Sequence, residues 1–157
     1  MSSWWFRSAV AAMFFAAAAV RAQAPGDLDP TFGSGGKVTT DFGGSSDELF
    51  ALAQQPDGMI VGAGSGSVDC VSTEPTTCSP PPAGFSLARY ALDGSLDPAF
   101  GAGGLVLGAG EAHAVYVLGD GAILAAGTEC DASVASGCEL QVARYLSDGT
   151  LDATFGS

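Results

Sequence analysis

Short apolar runs alternate with glycine, proline and aspartate along most of the chain, a pattern typical of β-strands separated by turns. No run keeps a helical apolar period over about ten residues, and glycine interrupts every candidate helix. The Asp-Gly pairs in "QPDGM" (55–59) and "LGDGA" (118–122) predict tight hairpins, because glycine accepts the positive φ that such turns need. The pattern predicts an all-β chain with strands at 37–42, 49–54, 59–64 and 85–91, and again at 105–108, 112–118, 122–127 and 140–146.

One phrase occurs three times, as "GDLDPTFGSGG" (26–36), within "RYALDGSLDPAFGAGG" (89–104) and within "RYLSDGTLDATFGS" (144–157). We call it the repeated phrase. Its copies are not evenly spaced, and most of the difference falls in one connection, which runs over 65–84 in the first repeat and over 128–139 in the second. Fixed segments joined by variable connections indicate a structural repeat.

Each repeat is predicted to form a four-stranded antiparallel meander sheet, the unit that serves as a blade in β-propellers. The first blade is expected at about 35–93, the second at about 103–148, and residues 149–157 begin a third repeat. The repeated phrase is then expected to link one sheet to the next. Small residues in "VGAGS" and "LAAGT" would let neighbouring blades approach closely.

Two such sheets form an incomplete propeller, because ring closure takes roughly four to eight blades. Three explanations stay open at this point. The chain is a truncated member of a longer array, it assembles with other chains, or it packs as a small two-sheet sandwich.

The stretches "GFSLARYALDGSLDPAFGAGGLV" and "ALAQQPDGMIVGAGS" resemble the delta-60 repeat, which occurs in tandem in large secreted bacterial proteins. The resemblance covers residues 26–157. It implies an exported, propeller-like repeat protein and supplies no catalytic residues. The cysteine-containing loops and the low number of copies depart from the usual form of the family.

The N-terminus has the layout of a secretory signal peptide, with Arg7 ahead of an apolar run over 8–20 and small residues near a cleavage site after Ala22. An uncleaved membrane anchor is the alternative, although the run is shorter than the ~20 residues that a spanning helix needs. We therefore expect residues 1–22 to be removed and the mature repeat region, 23–157, to be secreted, periplasmic or on the cell surface, with no membrane span.

The chain is strongly acidic, with 17 carboxylates against five basic residues and a formal net charge of −12. Cleavage after Ala22 would also remove Arg7 and Arg21. Like charges repel such a chain from phosphate, which argues against nucleic acid or anionic lipid as a partner.

The four cysteines form two local pairs, Cys70 with Cys78 and Cys130 with Cys138, at matched places in the two repeats. An oxidising compartment makes a disulfide within each pair the expected state. Zinc is the alternative, but its cysteine pairs usually enclose two to four residues, whereas these enclose seven. No cofactor is expected.

Arginines and phenylalanines return with the repeated phrase and are expected to be structural. Arg89 and Arg144 should each pair with a carboxylate, Asp97 and Asp152 or one in the neighbouring copy. The alternative is that they bind an acidic ligand. The recurring aromatic residues are expected in the core: Phe32, Phe100, Phe155, Tyr90 and Tyr145.

Acidic side chains at alternate positions of the phrase are candidates for calcium, because they match the start of an EF-hand loop: Asp93, Asp97, Asp148 and Asp152. The match ends there, since Pro98 or Ala153 replaces the required glycine, so turn formation is the favoured role. His113, the only histidine, has no visible nucleophile or orienting partner, and no catalytic residue is predicted.

These observations predict a secreted, non-enzymatic β-propeller-like repeat protein that serves as a surface or interaction module. Its partner would be a copy of itself or another repeat protein, bound through uncovered blade faces. The alternatives are an extracellular module that binds calcium or carbohydrate, an exported enzyme built on a propeller, and a fragment without independent function.

Overall fold

The computed structural model describes residues 24–44, 46–66, 84–130 and 137–156. The predicted signal peptide, Cys70, Cys78 and most of the 65–84 connection lie outside these residues. Within them the chain is all-β, and no helix is long and apolar enough to cross a membrane. Seven strands follow in order: β1 (Asp47–Gln54), β2 (Ile60–Gly66), β3 (Ser86–Tyr90), β4 (Leu105–Val106), β5 (Glu111–Val117), β6 (Ile123–Cys130) and β7 (Cys138–Tyr145).

The strands form two antiparallel sheets that are not closed into a ring. Sheet one has the order β1-β2-β3-β4 and sheet two the order β5-β6-β7. The predicted class, an all-β chain of meander sheets that make an incomplete propeller, is confirmed. The prediction of four strands in both sheets is corrected, since the described part of sheet two has three.

Two predicted strands differ from the structure. The segment 105–108 was assigned to the second blade, but Leu105–Val106 pairs with β3 and completes sheet one. The segment 37–42 forms no strand, and within the described residues Lys37 makes only an isolated bridge, to Gly33. When Gly36 is aligned with Gly104, this segment corresponds to β4, and no described strand lies beside it as β3 lies beside β4.

The repeated phrase therefore has a different place from the one predicted. Its second copy is the connection between β3 and β4, so it joins two strands of one sheet. The chain passes from sheet one to sheet two only after Val106, in the short segment 107–110. Sheet one accordingly runs past the expected end of the first blade at residue 93.

Both predicted Asp-Gly hairpins are present, between β1 and β2 and between β5 and β6. The turn glycines, Gly58 and Gly121, have φ angles of 88° and 86°, which other residues rarely adopt. The small residues of β2 and β6 are explained by close contacts within their own sheet. The first strand of each sheet is irregular opposite Gly64 or Gly127, and a side chain there would collide with the carbonyl of Glu48 or Glu111.

One hydrophobic core lies between the two sheets. Sheet one contributes the side chains that alternate along β2 and β3 on one face, and sheet two contributes the opposing face of β6 and β7. β5 packs against β1 and β2 across the interface. The buried set is Val61, Ala63, Phe85, Leu87, Phe100, Ala112, Ile123, Ala125, Ala143 and Tyr145.

Tyr145 connects the sheets by a hydrogen bond as well as by packing. The backbone N–H of Phe85, beside sheet one, donates to the Tyr145 hydroxyl at 2.6 Å, and both residues are buried. Burial raises the pKa of this hydroxyl above its ordinary value, so it stays neutral. The bond satisfies a backbone donor that water cannot reach.

We expect Tyr145→Phe to lower the free energy of unfolding by about 1–3 kcal/mol, because it leaves the buried Phe85 N–H without its acceptor. Tyr116→Phe is the matched control, since Tyr116 is largely exposed on the same sheet. Urea denaturation followed by circular dichroism measures both. Equal stabilities for the two variants would contradict the role given to Tyr145.

Candidate functional site

A buried ion pair organises the second copy of the repeated phrase. Arg89 Nε and Nη2 lie 2.7 and 2.6 Å from the same oxygen of Asp97, Oδ2. Both side chains are about nine-tenths buried. The guanidinium also stacks on Phe100, with Cζ 4.6 Å from the ring centroid. The ion pair predicted for Arg89 is present, and it lies within a single copy.

The same guanidinium reaches the third copy of the phrase. Arg89 Nη1 donates to the backbone carbonyl of Ser147 at 2.5 Å. Arg89 thus fixes the turn of its own copy and holds the turn that follows sheet two. Because Arg presents several donors in a fixed plane, one side chain can make both contacts.

The third copy repeats this ion pair without the bridge to another copy. Arg144 Nε lies 2.6 Å from Asp152 Oδ2, Nη2 contacts the same oxygen, and the guanidinium lies over Phe155 at 5.0 Å. The Arg144 side chain is 35% exposed, against 9% for Arg89. Among the described residues no carbonyl takes the place that Ser147 has beside Arg89.

A second contact also recurs between neighbouring copies of the phrase. The N–H of Gly33 in the first copy donates to the Asp93 carbonyl in the second, at 2.7 Å. The N–H of Gly101, the counterpart of Gly33, donates to the Asp148 carbonyl in the third copy, also at 2.7 Å. Successive copies therefore stack on one another through the same atoms.

The four calcium candidates serve as turn acceptors. Asp93 Oδ1 accepts from the N–H and hydroxyl of Ser95, and Asp148 Oδ1 accepts from the N–H of Thr150. Asp97 and Asp152 each give one oxygen to an arginine and the other to a backbone N–H two residues on. No group of three or more metal-ligating side chains occurs within 24–44, 46–66, 84–130 and 137–156.

Hydrogen bonds to the carboxylates lower their pKa values. At Asp152 the Thr154 hydroxyl is the largest cause, followed by the Thr154 N–H and Arg144, and together they lower the pKa to about 2. The pKa values of Asp93 and Asp97 are also lowered, through Ser95 and through the N–H of Ala99 respectively. These carboxylates are already stabilised in their charged form by the protein itself.

The remaining sequence candidates are placed apart from the phrase. His113 packs against Phe50 of sheet one at 4.9 Å between ring centroids, and its Nε2 is 3.8 Å from Glu111. Cys130 and Cys138 form the predicted disulfide, which ties β6 to β7 at the end of their pairing. The second predicted disulfide lies outside the described residues. Phe32 is half-buried in the first copy of the phrase.

One face of sheet two is exposed where the equivalent face of sheet one is buried. We call it the open face, and its apolar members are Tyr116, Leu140, Val142 and Phe155. Val142 is 47% exposed, whereas its counterpart Leu87 is fully buried, and Phe155 is 39% exposed, whereas Phe100 is fully buried. In sheet one these counterparts are covered by sheet two.

A groove of about 190 Å³ runs along β7 beside the open face. The groove is lined on one side by Gln141–Arg144 and on the other by Leu151, Asp152, Ala153 and Phe155, and Gly84 lines it as well. The corresponding edge of sheet one is filled, because β4 pairs there with β3. The groove was not predicted from the sequence. The one clue in the sequence is Leu105-Val106, the apolar pair after "GAGG" in the second copy. This pair hydrogen-bonds to β3, the strand before the phrase, and so belongs to sheet one.

A family model described as "Domain of unknown function (DUF5122) beta-propeller" matches residues 82–100 and 118–155. The matched segments include β3, β6 and β7 and the turns that hold both ion pairs. The match supports a β-propeller-like repeat family. Comparison with curated proteins found no match, and comparison with solved structures found none.

We expect Arg89→Ala to lower the free energy of unfolding by about 3 kcal/mol, because it leaves Asp97 buried without its partner and removes the bond to Ser147. Arg144→Ala is the matched control and should cost clearly less, since Arg144 is more exposed and makes no equivalent bridge. Thermal and urea denaturation measure both. Equal losses for the two variants would contradict the bridging role of Arg89.

The lowered pKa of Asp152 predicts how stability depends on pH. A carboxylate whose folded pKa is lowered adds stability above its unfolded value, 3.8, and this is lost as the pH falls towards about 2. Thr154→Val should raise the Asp152 pKa and weaken the stability change between pH 5 and pH 2. Thr154→Ser, which keeps the hydroxyl, should behave like the wild type. Carboxyl NMR titration that gives Asp152 an ordinary pKa in the wild type would contradict this.

Proposed function

We propose that the protein is an exported, non-enzymatic repeat protein of the delta-60 type that binds other protein surfaces through the open face of sheet two. The observation that carries the proposal is the contrast between equivalent residues. Leu87 and Phe100 are buried by a neighbouring sheet, while Val142 and Phe155 have the same place in the repeat and are exposed. An exposed apolar surface of this kind is typical of a protein interaction site.

The chemistry of the described residues supports a binding role. The charged groups of the phrase are its arginine and aspartate side chains. They stabilise turns through ion pairs and hydrogen bonds. His113 contacts an aromatic ring and a single carboxylate. A structural disulfide between Cys130 and Cys138 is consistent with a protein that works in an oxidising compartment.

We expect the exported chain to begin at Gln23, which N-terminal sequencing of secreted material would check. A chain that retains residues 1–22 on the membrane would contradict the export part of the proposal.

Binding through the open face can be tested with the immobilised mature protein and the extracellular proteins of the cells that make it. The wild type should bind a defined protein saturably, and Val142→Glu should lose that binding, because a carboxylate placed in an apolar contact is costly to bury. Leu92→Glu, which replaces a largely exposed apolar side chain on the turn after β3, serves as a charge-matched control. Equal binding by the wild type and Val142→Glu would contradict the proposal.

A further inference from the structure

We propose that the two hairpin turns are sites of aspartate isomerisation in the folded protein, at Asp57 and Asp120, and that the turns of the repeated phrase protect their aspartates from the same reaction. The chain has four Asp-Gly pairs, two in the hairpins and two in the phrase: Asp57-Gly58, Asp120-Gly121, Asp93-Gly94 and Asp148-Gly149. The reacting groups are identical in all four. Their surroundings differ, and this difference decides which pairs react.

Isomerisation at an Asp-Gly pair needs water and no other reactant. The backbone nitrogen of the glycine attacks Cγ of the aspartate, the carboxyl OH leaves with the amide proton as water, and a succinimide ring forms. Glycine favours this step, because it has no side chain to hinder the approach. Water then adds to the ring and breaks the bond between the nitrogen and the original main-chain carbonyl carbon. The chain now continues through Cγ as isoaspartate, and the former main-chain carbonyl is a free carboxylate.

All four turns restrain both reacting groups in the same way. The glycine N–H donates to the carbonyl three residues before it, at 2.9–3.0 Å. The aspartate Oδ1 accepts from the N–H two residues after it, also at 2.9–3.0 Å. The nitrogen can attack Cγ only when the turn opens, so the rate in the folded protein depends on the free energy of local opening.

The phrase turns have further contacts with no counterpart among the described contacts of the hairpin turns. The Asp93 carbonyl accepts from the N–H of Gly33, and the Asp148 carbonyl accepts from the N–H of Gly101, both at 2.7 Å. The Ser95 hydroxyl also donates to Asp93 Oδ1 at 2.7 Å. Opening a phrase turn therefore breaks the bond between two copies as well as the bonds of the turn itself.

Burial of the glycines gives the same order. Gly94 and Gly149 in the phrase are buried, whereas Gly58 and Gly121 in the hairpins are half-buried. A Cβ on Gly94 would lie 2.8 Å from the backbone nitrogen of Gly33, so the phrase turn is packed against the backbone of the preceding copy. A hairpin turn can open without moving another copy of the phrase.

The carboxyl groups of the phrase are also harder to activate. The hydroxyl and N–H of Ser95 lower the pKa of Asp93, and the N–H and hydroxyl of Thr150 lower the pKa of Asp148. The oxygen that leaves as water must be protonated, and a lowered pKa reduces the protonated fraction at neutral pH. Hydrogen bonds, packing and ionisation thus all favour reaction in the hairpins.

The modification would lengthen the main chain of a hairpin turn by one atom. The bonds next to the inserted atom are those from Gln55 N–H to the Met59 carbonyl and from Leu118 N–H to the Ala122 carbonyl, both 2.8 Å. These bonds close the β1–β2 and β5–β6 hairpins. Isomerisation is therefore expected to loosen the turn end of each sheet as the protein ages, while the stacking between copies of the phrase persists.

The test follows all four pairs in one sample of the folded mature protein, incubated in water enriched in heavy oxygen. Each hydrolysis of a succinimide adds one labelled oxygen, and peptide mass spectrometry with electron-transfer fragmentation locates the isoaspartate. Isoaspartate should form about tenfold faster at the hairpin pairs than at the phrase pairs, because opening a phrase turn breaks further hydrogen bonds. In urea the four pairs should react at similar rates, because glycine follows each aspartate.

Moving one hydroxyl group tests the protection at single turns. Ser95→Ala removes a hydrogen bond to Asp93 and should raise the rate there about fivefold, while Asp148 in the same chain keeps its rate. Ala122→Ser places a hydroxyl at the matching position of a hairpin and should slow the reaction at Asp120, while Asp57 keeps its rate. Melting temperatures close to the wild type show that both variants are folded.

Equal rates at the four pairs of the folded protein, or faster reaction at Asp93 or Asp148, would overturn the proposal. A folded protein that forms no isoaspartate at the hairpins, under conditions in which the sample in urea reacts, would also overturn it. Ser95→Ala without any effect at Asp93 would contradict the protection assigned to the phrase. Binding through the open face is measured separately and does not depend on any of these results.

Discussion

The structure depends on a buried guanidinium that holds two successive copies of the same phrase. Arg89 neutralises Asp97 within its own turn and donates to the Ser147 carbonyl in the next. Each sheet has only three or four short strands and could not bury an apolar face by itself. The bridge joins the turn after β3 to the turn after β7, and beside it Leu87, Phe85 and Tyr145 pack in the core shared by the two sheets. In repeat proteins of this kind, stability comes from contacts between neighbouring units.

The same dependence explains the exposed residues of sheet two. Arg144, Val142 and Phe155 repeat the chemistry of Arg89, Leu87 and Phe100 but are more exposed, because no sheet among the described residues lies against them. Their exposure is a property of the repeat, in which every sheet presents one face to the sheet before it and another to the sheet after it. The open face is therefore the surface on which the proposed binding role rests.

Local chemistry and the two Asp-Gly hairpins were predictable from the sequence, but the pairing of the short segments after the repeated phrase was not. Asp-Gly turns, alternating strands and the Arg89–Asp97 pair all follow from residues close together in the chain or repeated in register. The sheet to which Leu105–Val106 belongs depends on which strand lies beside it, and a two-residue strand carries no pattern that decides this. The segment 37–42 has the composition of a strand, but strand formation needs a hydrogen-bonding neighbour, which the described residues do not provide. The contact of His113 with Phe50 joins strands of different sheets and left no signal in the sequence.

The claim that the two sheets share one core through the phrase is tested most directly by native-state hydrogen exchange. Ala63 of β2 and Ala125 of β6 are both buried in the interface. If the sheets depend on each other, their amides exchange only through global unfolding, with the same free energy and the same dependence on denaturant. Exchange of Ala125 at a clearly lower free energy than Ala63 would show that sheet two opens while sheet one stays folded, and would contradict a shared core.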